Sequence, residues 1–284
     1  MTVWYPSEPP DWWRAVEDAL AEDVGPGDVS GFVIPEELEV EWYIEAQQKG
    51  IVCGLGIVEY LLSTSLPEGE DASCEILVRD GSLVSSGQKV AKGSGPARKI
   101  LMAERTALNF LTLLSGVSTL THEYVKRVEG THARIVDTRK TIPLLRSLQK
   151  YAVRCGGGFN HRMGLFDGAM LKDNHLQASK SIGAAIRTFR AHASHMTKLE
   201  IECEDLGQVD QAVQGGADVI LLDNMSPFDM REAVKKHAGK CLFEASGGIS
   251  LDTVRQVANT GVDLISVGAL THSAPAMAFH MEFE

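Results

Sequence analysis

The sequence has no CxxC pair, and its five cysteines, Cys53, Cys74, Cys155, Cys203 and Cys241, are odd in number and far apart. That spacing excludes a disulfide framework and a tetrahedral zinc site, and leaves reduced thiols packed in a core. Long apolar runs are also missing. The longest mainly apolar stretches, such as residues 51–58, are far shorter than the roughly 20 residues of a membrane-spanning helix, so an integral membrane protein is not expected. No basic segment followed by an apolar one opens the chain, so neither is a secretory leader. Three signatures are absent: GxGxxG after a strand, GxxxxGK[ST] anywhere, and the GxSxG elbow of serine hydrolases. His192 and His195 form HxxH without the glutamate of a zincin and read as helix surface. Positive charge is scarce, with 27 Lys and Arg against 38 Asp and Glu and a net −11. That balance disfavours nucleic acid and anionic membrane as partners.

What is there is globular. The 284 residues are 44% hydrophobic and 23% charged, enough for one or two cored domains. Within this acidic chain, residues 137–175 hold seven Lys or Arg and three Asp. Such a cationic island suits either a pocket for a small anionic ligand or a basic helix face.

Residues 11–24 read as an amphipathic helix capped by Asp11. Residues 40–46, 50–54 and 74–79 read as strands, with Asp80-Gly81 a hairpin-type turn before 82–85. Pro96 opens a helix expected to reach about Ser115. This first region reads as a modest α+β domain. The second half alternates short apolar strands, at 133–137, 169–172, 198–203, 218–222, 241–246 and 264–268, with helices. One strand and one helix per unit implies parallel strands with right-handed crossovers, hence a β/α barrel, complete or open.

Chemistry-capable residues collect at the C-terminal ends of these strands: Lys172-Asp173-Asn174-His175, Glu202, Asp223-Asn224, Ser246-Gly247-Gly248 and Gly268. Active sites of β/α barrels lie on that face. Ser246-Gly247-Gly248, leading to a helix that Ser250 can cap, suits a phosphate oxyanion. Glu202 and Asp223 can hold Mg²⁺, accept from a ribose diol or act as an acid/base pair. Glu200 points the same way but deeper and reads as structural. Arg139, Lys140, Arg162 and Lys172 suit a substrate with several anionic groups.

Residues 137–141 (DTRKT), 150–161 (KYAVRCGGGFNH), 162–167 (RMGLFD) and 172–175 (KDNH) resemble quinolinate phosphoribosyltransferase, and so do 104–116 (ERTALNFLTLLSG), 217–224 (ADVILLDN), 244–248 (EASGG) and 264–275. The likeness runs from about residue 11 to the end. It implies an α/β fold with an N-terminal α+β domain over 1–115, an open (incomplete) β/α barrel over 116–270, and a segment over 271–284 returning to the first domain. It implies an enzyme of NAD biosynthesis. Quinolinate and 5-phosphoribosyl 1-pyrophosphate (PRPP) become nicotinate mononucleotide, pyrophosphate and carbon dioxide, with Mg²⁺ and no organic cofactor. Residue by residue, Arg105, Arg139, His161, Arg162 and Lys172 match positions around the quinolinate carboxylates, and Lys140 one near the donor. Glu202 and Asp223 match ribose and magnesium contacts and, with Lys172, the catalytic set. Ser246, Gly247, Gly248, Gly268 and His272 match the phosphate end. The resemblance also implies a cytoplasmic homodimer, or higher oligomer, whose site takes Arg105 from the neighbouring subunit. One departure stands out: the family usually has glycine after the proline of DTRKTTP, where this chain has Ile142-Pro143-Leu144. Alternative readings are a molybdenum-transport-linked paralogue of the same fold, an aldolase forming a Schiff base at Lys172, and a phosphosugar binder without turnover.

Overall fold

Alternation of polar and apolar residues builds the first strand. In the computed structural model, which describes residues 12–64, 72–179 and 181–284, α1 (Trp12–Val24) precedes β1 (Glu39–Ala46), where Trp42, Ile44 and Ala46 are buried. The cap expected at Asp11 lies outside the described residues. Then follow β2 (Gly50–Ile51), α2 (Leu55–Glu59), β3 (Ser73–Ile76), β4 (Leu83–Val84), β5 (Lys89–Pro96) and α3 (Ala97–Arg127).

Three local expectations are corrected here. The strand over 50–54 shrinks to β2, because Gly54 at φ 109° turns the chain into α2. The carboxylate of Asp80 accepts the N–H groups of Gly54 and Leu55 at 2.9 and 3.1 Å, satisfying the orphan donors that open that helix. The Asp80-Gly81 turn forms, with Gly81 at φ 86°, but it is not a hairpin: β3 pairs with β5, and β4 with β2. And α3 does not stop near Ser115. Gly116 there serves close packing rather than termination, since a Cβ on it would lie 2.2 Å from the Pro275 carbonyl oxygen. By length and composition α3 could cross a bilayer, but 61% of its most apolar window is buried inside the protein, as in a core helix.

The chain continues through β6 (Arg134–Val136), α4 (Arg146–Cys155), β7 (Ala169–Leu171), α5 (Asp173–Ala178), α6 (Ile182–His192), β8 (Leu199–Cys203), α7 (Leu206–Gly215) and β9 (Val219–Asp223). It ends with α8 (Pro227–His237), β10 (Leu242–Ser246), α9 (Val254–Ala258), β11 (Leu264–Ser266), α10 (Ala269–His272) and β12 (Phe279–Phe283). Two compact units result. The first holds the described residues up to His122, with Thr141–Gly157 and Leu270–Glu284; the second holds Glu123–Lys140 and Gly158–Ala269.

In the first unit an antiparallel sheet runs β12-β1-β5-β3, with Ile44 between Met281 and Ala91. In the second, six parallel strands run β6-β11-β10-β9-β8-β7. Side chains of Ser181, Asp205 and Ser226 cap α6, α7 and α8, which fixes where three of the crossovers begin. Ser250 does not act this way: its carbonyl, not its hydroxyl, accepts the Val254 N–H that opens the short α9.

The sheet is curved. Four strand spacings separate β6 from β8 along the hydrogen-bonding direction, roughly 19 Å in a flat sheet. Yet His161, whose amide is bonded to Asp137 just beyond β6, reaches Glu200 of β8 at 2.9 Å. Only a sheet rolled towards a barrel brings them together. The ring stays open between the end strands β6 and β7, where Phe159 makes a single parallel bridge to Val136. This is the expected fold class, an α+β domain joined to an open β/α barrel.

Candidate active site

The six parallel strands deliver their polar ends to one edge. Arg139 and Lys140 follow β6, Lys172 follows β7, Glu202 lies one residue from the end of β8, and Asp223 and Ser246 end β9 and β10. Gly247 and Gly248 follow Ser246, and Gly268 lies just past β11. Lys172 Nζ bonds Glu202 Oε2 at 2.5 Å, the carboxylate being only 13% exposed.

The loops after β9 and β10 are tied together. Asn224, in the left-handed region at φ 53°, donates its backbone N–H to the Ser246 carbonyl at 3.0 Å and its side-chain amide to Asp223 Oδ2 at 2.9 Å. Gly247 takes φ 96°, and a Cβ there would lie 2.2 Å from Asn224 Oδ1. Gly248 takes φ 59° with nothing within 4 Å of where its Cβ would be. The first glycine is required by close approach; the second leaves open space beside the backbone, as an oxyanion needs.

A second cluster fixes the cations. Asp137, fully buried, accepts Asn160 Nδ2 at 2.5 Å and the His161 N–H at 2.9 Å. The His161 ring meets Glu200 Oε2 through Nε2 at 2.9 Å and accepts the Arg162 N–H on Nδ1 at 2.7 Å. Arg162 Nη1 donates to the Gly168 carbonyl at 3.0 Å. Burial, and next the positive charge of Arg139, hold the Arg162 guanidinium below its ordinary pKa. Two arginines close enough to repel one another are a field suited to an anion.

Arg105 and His272 belong to the first unit. Arg105, on α3, has a 66% exposed side chain 3.7 Å from Glu104, and His272 ends α10 with Nδ1 2.6 Å from Ser273 Oγ. Glu202 and Asp223 suit Mg²⁺, a hard cation that takes one or two carboxylates and completes its shell with water and phosphate oxygens. Two tighter groups of ligand-type side chains exist among the described residues: Cys53, Asp80 and Cys155, and His161, Glu200 and Glu244. In the first, the Asp80 carboxylate is already bonded to Gly54, Leu55 and Tyr151.

Sequence reasoning gave no role to Asp137, Asn160, Asn224 or Glu244. Strand alternation carries a signal for Glu244, which sits mid-strand in β10 and is 1% exposed. Leu144, the departure from the usual glycine, stands at φ 65° and is 92% exposed.

Comparisons with known proteins place the chain by family. The N-terminal domain of quinolinate phosphoribosyl transferase matches residues 28–115 and its C-terminal domain residues 117–282. Among curated relatives, a probable nicotinate-nucleotide pyrophosphorylase [carboxylating] of Bacillus subtilis is 41% identical, over 92% of this chain and 89% of its own length. The Mycobacterium leprae nicotinate-nucleotide pyrophosphorylase [carboxylating] is 40% identical over 91% and 92%. Among solved structures, the nicotinate-nucleotide pyrophosphorylase of Francisella tularensis superposes with a TM-score of 0.90 at 35% identity, covering 95% of both chains. With both domains matched in order and nearly the whole length covered, the chain belongs to the quinolinate phosphoribosyl transferase family.

Proposed function

We propose that this protein transfers the phosphoribosyl group of PRPP to quinolinate, yielding nicotinate mononucleotide, pyrophosphate and carbon dioxide for NAD biosynthesis. The observation that carries the reading is the pairing of two sets on one barrel edge: mutually repelling Arg139 and Arg162, and the carboxylates of Glu202 and Asp223. Curated relatives about 40% identical carry the name of this activity.

Each residue then has a task. Arg139, Arg162 and Lys172 surround the quinolinate carboxylates, with His161 behind them bonded to the Arg162 backbone and Arg105 supplied by a second copy of the chain in a cytoplasmic homodimer. Lys140, Ser246, Gly247, Gly248, Gly268 and His272 face the donor's phosphates. Glu202 and Asp223 hold Mg²⁺ and the ribose; the ion supplies charge neutralisation to the departing pyrophosphate. Both carboxylates also stabilise positive charge developing on the ribose carbon. The pyridine nitrogen bonds to that carbon and becomes cationic. Its charge stabilises the electron pair left on the ring when the adjacent carboxylate leaves as carbon dioxide.

Lys172 as a Schiff-base nucleophile is the weaker reading. Its Nζ is an ion-pair partner of Glu202 at 2.5 Å rather than a free amine. The paralogue reading is disfavoured by the intact RCGGGFNHR and KDNH blocks.

Purified protein given quinolinate, PRPP and Mg²⁺ is expected to release nicotinate mononucleotide and carbon dioxide. Nicotinate lacks one carboxylate, and each lost charge-assisted bond is worth roughly 10- to 150-fold, so it should react far more slowly. Equal turnover of the two acids would remove the dicarboxylate assignment, and absence of nucleotide would remove the activity.

A further inference from the structure

Two buried acids near the site have no task in that chemistry. Glu200 of β8 and Glu244 of β10 are 6% and 1% exposed. His161 Nε2 is 2.9 Å from Glu200 Oε2 and 3.6 Å from Glu244 Oε1. The Oε1 atom of each acid is buried without a hydrogen-bond partner among the described residues. Buried carboxylates left partly unsatisfied cost free energy and call for a reason.

Three reasons compete. The ligand atoms of the three residues lie within 4.8 Å of one another, which suits a metal ion. A metal needs a lone pair on Nε2, however, and Nδ1 already accepts the Arg162 N–H at 2.7 Å. A neutral ring bonded that way carries its proton on Nε2, pointing at the acids. A proton relay through the ring fails for the same reason, because Nδ1 ends on a backbone amide that passes no proton onward. Positioning remains, and every contact serves it.

We infer that Glu200 and Glu244 are positioning residues that hold His161 in its Nε2–H form, so that Nδ1 anchors the Arg162 backbone and aims Arg162 at the dicarboxylate. The substrate in that statement rests on the function proposed above; the tautomer does not. The two acids meet the ring unequally, Glu200 at 2.9 Å and Glu244 at 3.6 Å. Burial, and next the charge of Glu200, push the Glu244 carboxyl up to about 8, with His161 and a Ser266 hydrogen bond opposing and Asp137 adding to the rise. Asp137 holds the other side of the same segment, and Gly168 the guanidinium end. A cavity of about 430 Å³, lined by His161, Arg162, Glu200 and Glu244 and by Arg134 and Lys198 at the strand starts, lies against the cluster. The acids thus back onto space that a small molecule can enter.

The test uses the full-length protein and the variants Glu200→Gln, Glu200→Ala and Glu244→Gln. Glu200→Gln keeps shape but replaces the carboxyl that meets His161 Nε2 at 2.9 Å by an amide, and should raise the quinolinate KM about tenfold. The PRPP KM and kcat should change less than about threefold. Glu244→Gln, at a residue farther from the ring at 3.6 Å, should raise the quinolinate KM less than Glu200→Gln does. Formate, entering through the cavity, should restore part of the quinolinate affinity of Glu200→Ala. Nitrogen-15 NMR of labelled histidines, with His161 assigned by its loss in His161→Gln, should show the Nε2–H form in the wild type and mixed forms in Glu200→Ala. A wild-type His161 protonated on Nδ1, or equal losses in kcat and both KM values, would overturn the inference. If the wild type does not consume quinolinate and PRPP, the proposed function fails while the NMR result still decides the tautomer.

Discussion

At Leu144 the chain adopts a backbone that leucine tolerates poorly. A φ of 65° brings Cβ against the carbonyl, at a cost of about 1–2 kcal/mol. The side chain is 92% exposed, so burial does little to offset it. Glycine removes the clash but costs about 0.5–1 kcal/mol of added unfolded-state entropy. Leu144→Gly should therefore stabilise the protein by about 0.5–1 kcal/mol, seen as a thermal midpoint roughly 1–3 °C higher. An unchanged or lower midpoint would mean the leucine is held by contacts the folded monomer does not make. The resemblance marked this residue as a departure; the structure supplies the physical reason for the glycine. Other residues were less legible. Asp137, Glu200 and Glu244 all face His161, but they come from three strands that meet only because the sheet curves. Strand alternation gives the face a residue occupies, not which residue of a distant strand it meets across the barrel.

At the scale of elements, the parallel strands were legible because each is a short apolar run followed by a helix, three of them capped by Ser181, Asp205 and Ser226. All six lie within two residues of where their patterns put them. The antiparallel region was less so. Asp80-Gly81 has hairpin composition, yet its neighbours pair elsewhere because the Asp80 carboxylate is committed to the start of α2. Turn chemistry specifies a turn but not which strands it joins. The two loops after β9 and β10 depend on each other in a way that can be tested. A methyl at Gly247 would meet Asn224 Oδ1 at 2.2 Å and the Asn224 backbone nitrogen at 2.9 Å, with the backbone already at φ 96°. Gly247→Ala should cost about 1–3 kcal/mol of stability and raise the KM for PRPP more than that for quinolinate. Equal effects on the two KM values would show that this loop pair does not hold the donor.

At the scale of the whole molecule, the proposed site needs a second chain. Arg105 lies on α3 with a 66% exposed side chain, and its guanidinium stands 3.7 Å from Glu104. An exposed pair of that length contributes little to stability, so Arg105→Ala should leave the fold intact while removing the proposed contact to quinolinate. Lys172→Ala removes a different proposed contact, from the barrel unit. Homodimers of either variant should be nearly inactive. If the site is shared across a two-fold axis, a heterodimer of the two variants places both lesions in one site and leaves the other whole. An equal mixture that exchanges subunits at random then contains about half heterodimers, each with one working site of two, so activity should return to about a quarter of wild type per subunit. Subunit exchange can be verified by native mass spectrometry of differently tagged chains. A mixture that exchanges fully yet stays as inactive as its parents would place Arg105 in its own chain's site or outside any site, and would remove the shared homodimer site from the proposed function.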